Sequence, residues 1–140
     1  MFSAEVKVGR LLEIRLVAPV TLQDIQVMQA RLLELFQKHG KVILVADYTG
    51  ATVFPQDVAA TVLDMFKRGN DRVERSAALV SEGAIFSLQV ERLIAQAGNP
   101  MRRSFHDPFE LKAFLGAALG HEEHVRLVQF LAERPAPPAP

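Results

Sequence analysis

Two short oily segments limit what this chain can fold into. Val42-Ile43-Leu44-Val45-Ala46 is apolar at every position, and Ser76-Ala77-Ala78-Leu79-Val80 nearly so. A strand points successive side chains to opposite faces, so an unbroken apolar run needs cover on both. Amphipathic helices are the usual cover. The two segments therefore predict neighbouring inner strands sandwiched by helices, which is an α/β fold.

The flanking segments supply the rest. Phe2, Ala4, Val6 and Val8 alternate with Ser3, Glu5 and Lys7. After a break at Gly9-Arg10, Leu12, Ile14 and Leu16 alternate with Glu13 and Arg15. Period two with charges on one side predicts an antiparallel hairpin near a sheet edge, with one wet face. Thr21 and Asp24 form a capping-box pattern ahead of Ile25, Met28, Leu32, Leu35 and Phe36, and Gly40 can close that helix. Pro55-Gln56-Asp57 opens a second helix with Val58, Val62, Met65 and Phe66 as its stripe. Ser81-Glu82-Gly83 leads into a third, with Phe86, Val90, Leu93, Ile94 and Ala97. Met101 to Phe105 reads as a short strand, and its Arg102 and Arg103 place it at an edge. Asp107-Pro108 starts a fourth helix and Glu122 to Glu133 makes a fifth. The predicted order is β-β-α-β-α-β-α-β-α-α, a four- to five-stranded mixed sheet with helices mainly on one side. Residues 1–133 are expected to form one domain, and 134–140 an extended, disordered Pro/Ala tail.

Composition narrows the function. The chain has 140 residues and no cysteine, which removes disulfides, zinc-thiolate sites and a cysteine nucleophile. Sixteen basic residues balance sixteen acidic ones, so no broad positive field for nucleic acid is expected. The N-terminus does not read as a signal peptide, and the longest apolar run falls far short of the about 20 residues of a membrane span. A cytoplasmic location is expected. No phosphate loop, nucleophile elbow or paired-carboxylate motif is present, so neither an enzyme nor a bound cofactor is expected.

The loop from Asp47 to Asp57 follows a central strand, where ligands and partners of open α/β sheets tend to sit. Asp47, Thr49, Thr52, Gln56, Asp57, Val58 and Thr61 form the candidate docking loop and helix start. Phe54, Met65 and Phe86 are candidates for lining an apolar cavity between helices and sheet. In the fifth helix, Val125, Val128 and Leu131 are expected to face the domain. That leaves Leu127 and Phe130 partly uncovered as a possible homodimer surface. His121 and His124 are spaced i, i+3, but they lack a clear third ligand, and no metal site is expected. Lys67, Arg68, Arg72, Arg75, Arg102 and Arg103 form a basic patch if they converge.

The stretch Val45-Ala46-Asp47-Tyr48-Thr49-Gly50-Ala51-Thr52-Val53-Phe54 resembles the segment after the third strand of STAS domains, a family that includes anti-sigma-factor antagonists. Arg75 to Val80 looks like the next strand. Arg103-Ser104-Phe105-His106-Asp107, followed by Glu110, Ala113, Phe114 and Leu115, resembles a sporulation-antagonist-like branch that is compared with CRAL-TRIO lipid-binding domains. The resemblance spans Val6 to Leu115 and rests on order and loose pattern. It implies a non-enzymatic module that binds a protein partner, with the binding of a lipid or other small apolar ligand as the alternative. The family's phosphorylatable Ser matches Pro55-Gln56-Asp57, where no hydroxyl is present. The resemblance therefore carries no phospho-switch of the usual kind to this chain.

Overall fold

The computed structural model describes residues 1–133; the predicted tail at 134–140 lies outside the described residues. Five strands form one sheet in the order β1-β2-β3-β4-β5. They are β1 (Phe2–Val8), β2 (Leu11–Val17), β3 (Val42–Gly50), β4 (Val73–Leu79) and β5 (Arg102–Phe105). β1 runs antiparallel to β2, and every later pair is parallel. The helices are α1 (Leu22–His39), α2 (Gln56–Gly69), α3 (Ala84–Ala97), α4 (Pro108–Gly116) and α5 (His121–Ala132). This is the predicted α/β order, with a five-stranded mixed sheet.

Strand order explains the layers. From β2 to β5 the chain steps one strand at a time in one direction. Right-handed crossovers then put each connecting helix on the same face. The buried stripes of α1, α2 and α3 accordingly share one core with Leu12, Ile14, Leu44, Ala46, Tyr48 and Ala78. With no strand left to reach, α4 and α5 cover the opposite face. There Leu111, Leu115, Leu127 and Phe130 pack on Leu11, Ile43, Val45, Ala77 and Leu79. The pleat of β3 thus divides its apolar run between two cores, as an inner strand requires.

Local signals hold at the helix ends. The Thr21 hydroxyl accepts the Asp24 N–H at 3.0 Å, and the Asp24 carboxylate accepts the Thr21 N–H at 3.0 Å. The Asp107 side chain accepts the Phe109 N–H at 2.9 Å. The four-residue β5 lies at the edge, as its charges suggested.

Two expectations are overturned. β2 has no wet face: Glu13 is buried beneath α5, and Arg126 grips it with two bonds of 2.8 Å, from Nε and Nη2. The phase of α5 also differs in part: Leu131 is buried as expected, but Val125 and Val128 are not. Leu127 and Phe130, assigned to a dimer surface, are 0% and 1% exposed, whereas Val125 and Val128 face outward. Arg126 causes the difference, because turning Val125 and Val128 inward would carry its guanidinium away from Glu13.

A buried pair of this kind is costly to break from one side. Arg126→Met should destabilise the fold by about 3–5 kcal/mol, because Glu13 stays buried and unpaired. Glu13→Leu combined with Arg126→Met should recover most of that loss, as read by denaturant unfolding. Additive losses would show that the pair does not hold α5.

Candidate functional site

β3 runs through Gly50, so the predicted docking loop begins later than expected, at Ala51. Asp47 is a strand residue with a fully buried side chain. One carboxylate oxygen accepts Arg15 Nη1 at 3.0 Å. The other accepts the Thr49 N–H at 2.9 Å and the Thr49 hydroxyl at 2.6 Å. Arg15 in turn lies 4.0 Å over the Phe130 ring and donates to the Phe130 carbonyl at 2.6 Å. Asp47 therefore ties α5 to the sheet through Arg15, and its carboxylate is fully engaged by Arg15 and Thr49.

The remaining loop residues divide by exposure. Thr52, Gln56 and Asp57 are at the surface, while Val58 is part of the core. The Thr61 hydroxyl donates back to the Asp57 carbonyl at 2.9 Å. Gln89 of α3 clamps the loop: its Oε1 accepts the Phe54 N–H at 2.8 Å and its Nε2 donates to the Phe54 carbonyl at 2.9 Å. Phe54 itself is buried edge-to-face against Phe86, with ring centres 5.1 Å apart. These two rings fill the core, and neither borders the two cavities that Met65 lines.

The clamp brings the loop beside the start of α3, where Ile85 and Leu88 are exposed one turn apart, as is Val53 on the loop. His106 ties the third segment to the same end of the sheet. Its ring nitrogens lie 3.1 Å from the Ser87 hydroxyl and 3.0 Å from the Val80 carbonyl, and Phe109 follows at 74% exposure. Segments following β3, β4 and β5 thus all present large apolar side chains. Residues 47–66, 76–91 and 104–111 contain no Lys or Arg, and Asp57, Glu82, Asp107 and Glu110 are exposed among them. This end of the sheet is apolar and largely acidic, with Lys112 Nζ 5.8 Å over the Phe109 ring.

The predicted basic patch does not converge. Arg75 and Arg103 stack against the Phe114 ring, at 5.0 and 4.8 Å. Arg68 and Arg72 line a groove between α1 and α2. The pleat turns Arg102 inward, where it is 6% exposed. Its Nε donates to Asn70 Oδ1 at 2.8 Å, Nη1 to the Ser76 hydroxyl at 3.3 Å and Nη2 to the Phe66 carbonyl at 3.1 Å. All three acceptors are neutral. Burial pulls the Arg102 guanidinium down to about 10, so it stays cationic at neutral pH. Burial likewise pushes the nearby Tyr48 phenol up to about 12, partly offset by the Arg102 charge.

No protein-family model matches the chain, and no curated protein matches it.

Tyr48 is the single tyrosine and there is no tryptophan, so tyrosinate absorbance reports this one group. Its midpoint should lie near 12 rather than the ordinary 10. The raised folded value favours the neutral phenol. That contribution to stability is complete below pH 10 and is lost as pH rises toward 12. Arg102→Met should move the midpoint higher still. A midpoint near 10 in the folded protein would contradict the burial described.

Proposed function

We propose that the chain is a non-enzymatic docking module of the cytoplasm, resembling STAS domains, that holds a protein partner against the carboxyl end of its parallel strands. The observation that carries this reading is the shared location of Val53, Ile85, Leu88 and Phe109. They are large apolar side chains, exposed on the segments that follow three neighbouring strands. Large apolar side chains exposed at one end of a sheet favour an interaction site there. The partner's chemistry follows from the setting. A largely acidic rim, edged by Asp57, Glu82, Asp107 and Glu110 with Lys112 over the Phe109 ring, suits a segment that combines apolar anchors with basic residues. Among the described residues no helix is long and apolar enough to cross a membrane.

The rim also suits docking mechanically. The Gln89 clamp on Phe54 and the His106 bonds to Ser87 and Val80 fix its three segments relative to one another. A preorganised surface loses less entropy when a partner binds. Asp57 lies in the first turn of α2, where a carboxylate is stabilised by the exposed N–H groups; its own oxygen accepts the Val58 N–H at 2.8 Å.

The test is quantitative. A partner captured by crosslinking and identified by mass spectrometry is purified, and its affinity is measured against variants. Ile85→Asp combined with Val53→Asp should weaken binding by tenfold or more, that is by about 1.4 kcal/mol or more. Thermal unfolding should change little, because both residues are exposed and an acid in the first turn of α3 suits the helix dipole. Asp57→Lys should slow association at low salt. Unchanged affinity in both variants would exclude the rim as the docking surface.

A further inference from the structure

A buried cation without an anion is the least expected group in this fold. Among the described residues no carboxylate lies within 4.0 Å of Arg102, although every other buried charge, Glu13, Asp47 and Arg126, has a charged partner. A buried charge normally needs one, because desolvation is otherwise uncompensated. The three bonds Arg102 makes use three of its five N–H groups.

A small cavity adjoins the guanidinium. Arg102, Tyr48 and Ser76 border a cavity of about 20 Å³ between sheet and helices, room for roughly one water or a comparably small polar group. Leu32, Phe36, Met65 and Gly69 also border it, and the same four residues line the groove of about 520 Å³ between α1 and α2. That volume falls within the range of small-molecule sites. Its floor is apolar, and Leu33 stands 54% exposed within it. Gly69 separates groove from guanidinium: a Cβ placed there would come within 3.3 Å of Arg102 Nη2. Its backbone, with φ −92° and ψ −2°, is open to any residue, so conformation does not demand glycine. The space beside the guanidinium does.

We propose that the α1–α2 groove binds a small organic carboxylate with an apolar body, its carboxylate reaching past Gly69 to Arg102. The inference is independent of the docking surface, which lies at the carboxyl end of the strands. A planar carboxylate matches the fork geometry of a guanidinium and fits the narrow inner space better than a tetrahedral phosphate. The apolar body occupies the groove over Leu33, Phe36 and Met65.

The sole tyrosine borders the inner cavity, so fluorescence of the intact chain reads occupancy directly. Octanoate is titrated against wild type, with octanol and acetate as comparisons and calorimetry as a second readout. Octanoate should bind with a change in Tyr48 emission, at least about tenfold tighter than octanol or acetate. Arg102→Met should remove most of that preference and leave octanol unaffected. Gly69→Ala, which breaks no hydrogen bond, should weaken octanoate by about tenfold while far-ultraviolet circular dichroism stays unchanged. An Arg68→Ala, Arg72→Ala double variant should retain the preference. Equal binding of octanoate and octanol, absence of octanoate binding, wild-type affinity in Gly69→Ala, or loss confined to the Arg68/Arg72 variant would each overturn the proposal.

Discussion

The apolar run of β3 needs cover on both of its faces, and the rest of the molecule is arranged around that need. Val42, Leu44 and Ala46 face one core, and Ile43 and Val45 face the other. One helical layer cannot cover both. The crossovers that make β2 to β5 parallel supply α1, α2 and α3 to the first face. The second face must be covered by chain that follows β5, and α4 and α5 do this. The proposed docking end rests on the same arrangement. Parallel strands all finish on one side, so their exit loops gather there, and the helices that begin in them leave Val53, Ile85, Leu88 and Phe109 outward.

Covering the second face brings charge into the interior. The outer half of that face belongs to β2, whose residues there are Leu11, Glu13 and Arg15. α5 meets them with complementary groups: Arg126 on Glu13, and Phe130 beneath Arg15, whose guanidinium also pairs with Asp47. Glu133 adds a second carboxylate to Arg126 at 3.1 Å. Hydrogen bonding to Arg126 holds the Glu133 carboxyl below its usual range, and hydrogen bonding to Glu13 and Glu133 raises Arg126 above its own. Buried pairs of this kind add little net stability compared with apolar packing. Here they select one rotation of α5 and one register over β2.

The parts of this structure legible in the sequence are those with a local cause. Strand and helix order follow from period, caps from Thr21, Asp24 and Asp107, and the β5 edge from its charges. The parts missed have partners far along the chain. Glu13 and Arg15 look solvated by period alone, and their burial depends on residues 113 and 115 positions away. Five apolar residues in α5 allow more than one buried stripe, and Arg126 chooses between them. Asp47 reads as a strand terminator because nothing nearby shows that Arg15 will neutralise it. Arg102 reads as an exposed edge charge because the pleat, not the composition, decides which arginine of β5 turns inward. The proposed docking end includes the exit of β3, which the sequence picks out as a candidate. Its contacts from α3 and α4 were missed, since Ile85, Leu88 and Phe109 join Val53 through tertiary folding.

Native-state hydrogen exchange with amide resolution tests the double-covered sheet most directly. The amides of Ile43 to Ala46 and of Ala77 to Leu79 should be the slowest in the chain, exchanging through global unfolding with the denaturant dependence of that event. Those of β1 and β5, at the two edges, should open earlier. Rapid exchange of β3 or β4 through local opening, while the helices remain protected, would contradict the account.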